Sequence, residues 1–195
     1  MNRWLTALLL SSALVSGCAV NPVTGKSELR LVPESTELNL GAEQYAPSRQ
    51  SQGGDYTARP ELVAYVRGVG NRLAAVSDRG LPYEFSVIND STPNAWALPG
   101  GKIAINRGLL TELGSEAELA AVLGHEIVHA AARHGAQGME RGMLLQGAVM
   151  AAGVAASGTD YADLAVGGAG LAAGLVGQKY GRDAERESDY YGMQY

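Results

Sequence analysis

Three histidines, the only ones in a chain of 195 residues, lie within ten positions in the stretch VLGHEIVHAAARH. On a helix, His125 and His129 are one turn apart and lie on the same face, so both imidazoles can bind one metal ion. Glu126 lies about 100° further round, which is too far for an equal ligand but close enough to reach a metal-bound water. In this His-Glu-x-x-His pattern, zinc polarises the water and a substrate carbonyl, and the glutamate takes the proton of the water and passes it to the leaving amine.

The third histidine, His134, follows His125 by nine residues, which is about 180° round a continuous helix. The three-histidine metzincin pattern would place its third histidine at Gly135, so the chain does not match it. We therefore interpret His134 as a structural residue or a charge partner at the end of the helix.

A site with two histidines needs a third protein ligand and an open position for water. Glu185 and Asp189 are four residues apart in a charged segment and share a helical face. The glutamate can bind the metal, and the aspartate can orient a ligating histidine through its second ring nitrogen. Glu187 lies about 200° from Glu185, so only one of these two glutamates can face the ion. A solvated charged helix is the alternative interpretation of this segment.

The elements that position these residues are indicated by local patterns. Ser115 and Glu118 match the capping box, which predicts a helix from 115 to about 134. Pro60 precedes an apolar stripe with helical spacing, which predicts a core helix. Residues 48–59 are rich in turn formers and predict a loop. Two strands are predicted, the first after the break at 80–82 and the second directly after the Pro99–Gly101 turn: Tyr83–Ile88 and Lys102–Asn106.

The beginning of the chain has the layout of an export signal, with Arg3 followed by an apolar stretch. Residues 15–18 resemble a lipobox, which predicts cleavage before Cys18 and lipidation of that cysteine. Ala19 is not the aspartate of an inner-membrane retention signal, which favours the periplasmic face of the outer membrane. An ordinary secretory signal with an incidental cysteine is the alternative. The predicted division is a signal peptide at 1–17, an N-terminal segment and linker at 18–59, and a peptidase domain at 60–195.

Composition limits the remaining classes of function. With 46% hydrophobic and 18% charged residues the chain suits one packed domain, and a net charge of −5 disfavours nucleic acid as a partner. A single cysteine excludes an internal disulfide and a thiol metal site. Residues 143–158 and 162–177 are rich in alanine and glycine and fall short of the roughly 20 apolar residues of a bilayer span. They predict tightly packed helices or a mobile cover over the active site, with membrane insertion as the alternative.

The chain resembles the gluzincin zinc metallopeptidase family forty-eight. The resemblance rests on an ordered set of blocks, with an opening like that of lipoprotein members: Asn94–Ile105 with Arg107–Leu110, His125–His129, Glu185–Asp189 with Gly192, and Asn21–Gly25 in the opening. It implies an α+β, mainly α, zincin-like fold in which the active-site helix lies beside a small β-sheet. It also implies one zinc per chain bound by His125, His129 and Glu185, with Glu126 as general base.

The resemblance further implies that the strand after Asn94 is a sheet edge to which an extended substrate adds by main-chain hydrogen bonds. The substrate-binding residues would be Asn94, Ala95, Trp96 and Ala97. Ser188 and Gly181 are small departures from the usual alanine and serine of the family. Family members continue beyond the position of Tyr195 with helices that supply a transition-state-stabilising histidine or arginine, so we expect a C-terminally truncated chain.

Together these features predict a lipid-anchored periplasmic zinc metalloendopeptidase that hydrolyses unfolded or misfolded envelope proteins. Asp189 is expected to orient a ligating histidine. A chaperone-like lipoprotein that binds outer-membrane polypeptides, with silent or regulated proteolysis, is the main alternative. A zinc-binding scaffold without activity is the other, although such a site has no use for the base Glu126 beside an open coordination position.

Overall fold

The computed structural model describes residues 18–195, so the predicted signal peptide lies outside the described residues. The described chain begins with an antiparallel hairpin of two short strands, β1 (Cys18–Val20) and β2 (Ser27–Leu29). Helices α1 (Glu34–Ser51) and α2 (Pro60–Ala74) follow. Pro60 occupies the first turn of α2, where a missing N–H costs no helical hydrogen bond.

A three-stranded sheet comes next, formed by β3 (Glu84–Ile88), β4 (Ala95–Leu98) and β5 (Lys102–Asn106). Its order is β3-β5-β4, with β3 parallel and β4 antiparallel to the central strand β5. Strand β4 therefore forms one edge of this sheet. The two predicted strands are confirmed as β3 and β5.

Four helices complete the chain: α3 (Arg107–Glu112), α4 (Glu116–Ala131), α5 (His134–Ala156) and α6 (Ala162–Gly192). The predicted cap of α4 is present, because the Ser115 side chain accepts a hydrogen bond from the backbone N–H of Glu118. The Glu118 carboxylate returns to the backbone N–H of Gly114, one residue earlier than a capping box requires.

The core lies between the sheet and helices α2 and α4. Its fully or nearly fully buried members come from all three layers: Val66, Val69, Phe85, Val87, Ile103, Ile105, Leu119, Leu123 and Ile127. The apolar stripe of α2 contributes the first two, while Val76 lies beyond the end of α2 and is exposed. The predicted fold class, mainly helical with a small sheet beside the histidine-bearing helix, is confirmed.

Two predicted boundaries are wrong. Residues 48–51 belong to α1 and not to a loop. Tyr45 of this helix is buried and donates a hydrogen bond to the Ile103 carbonyl over 2.6 Å, and Arg49 pairs with Asp55, so tertiary contacts stabilise the last turns. The histidine-bearing helix ends at Ala131 and does not reach 134, because Arg133 has a left-handed backbone with φ of 64°.

Helices α5 and α6 pair with each other over much of their length. Many large apolar side chains of this pair are exposed: Met143, Leu144, Met150, Val154, Leu164, Leu171 and Leu175. Among the helical glycines of 143–177, only Gly153 lies close to the other helix, where an added Cβ would lie 3.2 Å from Val166. Within 18–195, no helix is long and apolar enough to cross a membrane.

Candidate metal centre

Three side chains from two helices converge at one point beside the sheet. His125 and His129 of α4 place their Nε2 atoms 3.0 Å apart. Glu185 of α6 places Oε2 3.3 Å from Nε2 of His125, and Oε1 3.6 Å from Nε2 of His129. The helical spacing that predicted a shared face therefore brings both imidazoles and the predicted third carboxylate together.

The spacing and chemistry of these donors fit zinc. A tetrahedral zinc ion with bonds of about 2.0 to 2.1 Å holds its ligand atoms about 3.3 Å apart. The three separations between the donor atoms, 3.0, 3.3 and 3.6 Å, bracket that value. Two imidazoles and one carboxylate are also the donors of catalytic zinc sites that keep a fourth position open.

Asp189 lies behind the first histidine, as its spacing from Glu185 predicts. Its Oδ1 is 2.9 Å from Nδ1 of His125, so the ring donates its Nδ1–H to this carboxylate. The Nε2 atom of the same ring is then left without a hydrogen and can bind a metal. Glu187 faces elsewhere, with Oε1 2.6 Å from Nζ of Lys26. Of the two glutamates that the sequence offered, only Glu185 joins the histidines.

Glu126 is buried beside these donors, with 9% of its surface exposed. Burial raises the pKa of its carboxyl to about 7, with a lowering effect from His125 and a further raising effect from Glu185. A group with this pKa can both accept and release a proton near neutral pH. Burial also lowers the pKa of His129 to about 3, helped by His134 and His125, so the ring is neutral as a metal ligand must be.

A cleft of about 560 Å³ opens beside these groups. Asn94 and Ala95 line it together with His125 and Glu126. A second cleft, on the side of His129 and Glu185, is lined by further residues of the same edge strand: Ala97 and Leu98. Strand β4 thus runs past the metal donors between two open clefts.

Among the four predicted substrate-binding residues, Trp96 alone does not line either of these two clefts. Its indole donates to the side chain of Gln52 over 3.0 Å and meets the Tyr45 ring edge-on at 5.9 Å. Because side chains alternate across a strand, Trp96 faces α1 while Ala95 and Ala97 face the clefts. Its side chain therefore fastens the edge strand to α1, and only its main chain can meet a substrate.

His134 lies beside the metal donors, contrary to the position expected on a continuous helix. The left-handed turn at Arg133 ends α4 and brings Nδ1 of His134 to 3.1 Å from Nδ1 of His129. On its other side, Nε2 of His134 lies 3.4 Å from Oε2 of Glu187 on α6. Only the expected position round the helix is wrong, because it assumed a helix that continues through Arg133.

A buried ion cluster supports that turn, and the sequence analysis missed it. Arg133 donates to Glu37 over 2.8 Å and to the Val32 carbonyl over 2.9 Å. Arg79 donates to the other oxygen of Glu37 over 2.7 Å. Glu140 accepts from the backbone N–H of Val32 and lies 3.7 Å from the Arg133 guanidinium. The N-terminal segment is therefore fastened to the end of the histidine-bearing helix.

Known proteins show where this chain belongs. Residues 60–195 match the model of Peptidase family M48. The chain is 36% identical over 140 residues to a putative beta-barrel assembly-enhancing protease of Vibrio cholerae, covering 69% of this chain and 29% of that protein. It is 29% identical over 212 residues to the beta-barrel assembly-enhancing protease of Yersinia pestis, covering 97% of this chain and 43% of that protein.

A shorter stretch of the chain is similar to a mitochondrial protein. The chain is 49% identical over 74 residues to the mitochondrial metalloendopeptidase OMA1 of Schizosaccharomyces pombe, covering 37% of this chain and 22% of that protein. The chain spans less than half the length of each of these three relatives. Because the family model matches most of its residues, the chain belongs to peptidase family M48.

Proposed function

We propose that this chain is a zinc-dependent metalloendopeptidase that hydrolyses unfolded or misfolded envelope proteins. The observation that carries the proposal is the convergence of His125, His129 and Glu185 beside the buried carboxyl of Glu126. Membership of a peptidase family and relatives named as metalloendopeptidases support the same activity.

Zinc, when bound by the three donors, supplies a Lewis acid that polarises the substrate carbonyl and makes water a nucleophile near neutral pH. Glu126 takes one proton from the attacking water as the water oxygen bonds to the carbonyl carbon. It then delivers that proton to the leaving nitrogen as the C–N bond breaks. The raised pKa of Glu126 suits a carboxyl that must hold the proton between these two steps.

The proposed substrate is an extended polypeptide that adds to β4. The outer edge of this strand borders both clefts, so a chain paired with it would pass the metal donors. Main-chain hydrogen bonds of this kind need an unfolded segment and discriminate little between side chains. The small side chains of Ala95 and Ala97 leave room for such a chain.

We place the protein at the periplasmic face of the outer membrane, anchored through a lipidated Cys18. The order of the signal elements supports the anchor. The name of two relatives, beta-barrel assembly-enhancing protease, supports misassembled outer-membrane polypeptides as the substrate class. The alternative function, a chaperone-like lipoprotein, is favoured by the exposed apolar side chains of α5 and α6, which can hold unfolded chains without cutting them.

One experiment separates the two functions. The purified protein is stripped with a chelator and reconstituted with one equivalent of zinc, then offered a permanently unfolded polypeptide and a folded control. We expect about one bound zinc per chain and cleavage of the unfolded polypeptide alone, lost on stripping and regained with zinc. Retention of the unfolded polypeptide without cleavage by the zinc-loaded protein would favour the chaperone.

A further inference from the structure

The two ligating histidines are held from behind by different groups. Asp189 contacts the outer nitrogen of His125 directly, 2.9 Å away. The outer nitrogen of His129 has no carboxylate at that distance and instead lies 3.1 Å from Nδ1 of His134. Only 7% of the surface of His134 is exposed. The distance alone allows either ring to donate, and the choice decides whether His129 can bind a metal.

The other contacts of His134 give the direction of this hydrogen bond. Its Nε2 lies 3.4 Å from Oε2 of Glu187, and a carboxylate oxygen can only accept. The hydrogen of the neutral His134 ring is therefore on Nε2, and its Nδ1 accepts. His129 must then donate through Nδ1, which leaves its Nε2 bare and directed at His125 and Glu185.

The neighbours of this pair fit the same direction. Lys26 donates to Oε1 of Glu187 over 2.6 Å, so the two oxygens of this carboxylate have separate donors. Ser188 is fully buried, and its hydroxyl, 3.4 Å from Nδ1 of His134, can either donate or accept, so it does not oppose the direction given by Glu187.

We propose that His134 is a positioning residue, which accepts the Nδ1–H of His129 and so holds the Nε2 of that ring toward the metal. The inference rests on the zinc site of the proposed function. Each ligating histidine is then connected to a carboxylate by hydrogen bonds. His125 contacts Asp189 directly, whereas His129 is connected to Glu187 through His134. The neutral ring of His134 takes the place that a carboxylate would otherwise occupy behind His129. A charged group at this buried position would be costly to desolvate.

Paired variants of His134 test the accepting role. His134→Ala removes the acceptor, whereas His134→Asn offers an amide oxygen close to the position of Nδ1. We expect the alanine variant to bind zinc about 10 to 100-fold more weakly than the unaltered chain, as loss of a contact behind a ligand usually does. The asparagine variant should recover most of that loss. Affinities come from competition with a chelator, and the melting temperatures of the metal-free proteins report folding.

A second pair of variants, at Glu187, tests the same hydrogen bonds if substitutions at the buried His134 prevent folding. Its side chain is 23% exposed, so substitution there is less of a threat to folding. Glu187→Leu removes the acceptor of the His134 Nε2–H and should weaken zinc binding several-fold. Glu187→Gln keeps an accepting oxygen and should bind zinc within about twofold of the unaltered chain.

A readout without metal completes the test. Ring nitrogens of the three histidines are observed by 15N–1H correlation in the metal-free, full-length protein. We expect His129 to carry its hydrogen on Nδ1 and His134 on Nε2, and we expect the His129 preference to be lost in His134→Ala.

The outcomes separate this inference from the proposed function. If the unaltered chain binds no zinc, both fail. If it binds zinc but His134→Ala binds equally well, or His129 carries its hydrogen on Nε2, the inference is overturned and the zinc site stands. An asparagine variant as weak as the alanine variant, with equal metal-free melting temperatures, would also overturn the accepting role.

Discussion

Gly192 of α6 lies directly against Gly124 of α4. A Cβ added to Gly124 would come within 2.5 Å of the Gly192 carbonyl oxygen, and one added to Gly192 would come within 2.7 Å of the backbone nitrogen of His125. Real Cβ atoms do not approach backbone atoms so closely, so the two helices can touch here only because both residues lack a side chain. This contact lies one turn from Asp189. We therefore infer that it sets the distance at which Glu185 and Asp189 of α6 meet the histidines of α4.

We therefore expect Gly192→Ala to push α6 away from α4 and weaken zinc binding at least tenfold, with a lower melting temperature. Gly181→Ala is the matched control, because it lies on the same helix and an added Cβ there meets nothing within 4 Å. That variant should keep its zinc and gain up to about 1 kcal/mol from helix propensity. Equal zinc affinities for the two variants would show that the close contact does not position the site.

The carboxylates of α6 differ in their expected effect on zinc binding. Glu185→Gln removes a charged donor and should lower the affinity severely. Asp189→Asn should lower it about 10 to 100-fold, because the His125 ring loses the carboxylate that orients it. Metal content and chelator competition on the purified variants measure both. A zinc-replete Glu185→Gln protein would mean that another carboxylate is the ligand.

Local periodicity made much of this site predictable. The separation of four residues places His125 with His129, and Glu185 with Asp189, on common faces whatever the rest of the fold does. The cap at Ser115 likewise marks the start of α4 by a contact three residues away.

The features that sequence analysis missed depend on contacts distant in the chain. The left-handed backbone of Arg133 is stabilised by Glu37, 96 residues away, and no local pattern indicates a non-glycine residue there. The position of His134 follows from that turn. The orientation of Trp96 depends on Tyr45 of α1, which the sequence analysis did not place beside the sheet.

The ion cluster at the end of α4 predicts a large effect on stability. Arg133→Gly keeps a residue that adopts the left-handed backbone without strain, so the ion pairs are lost while the turn itself is tolerated. Glu37, fully buried, then keeps Arg79 but loses its partner in the turn after α4. We expect a loss of about 3 kcal/mol in the free energy of unfolding, measured by urea denaturation. The exposed pair of Arg59 and Glu61 is the control, and Arg59→Ala should leave the midpoint unchanged.

The lipid anchor is tested by Cys18→Ala in cells. If Cys18 carries the lipid, we expect the variant to leave the membrane fraction, because the acyl chains are the proposed attachment. Fractionation followed by a salt wash measures this. A variant that stays with the washed membranes would instead point to the exposed apolar side chains of α5 and α6 as a membrane contact.

In the proposed function, Glu126 moves the proton at a site whose metal is held by other residues. Glu126→Gln tests it most directly, because the amide has nearly the same shape but cannot take up a proton. Zinc content and the rate of cleavage of an unfolded polypeptide are measured on the same preparation of the variant. We predict about one zinc per chain, as in the unaltered protein, and a rate lowered by at least about 100-fold. Unchanged turnover with full zinc content would show that Glu126 does not move the proton.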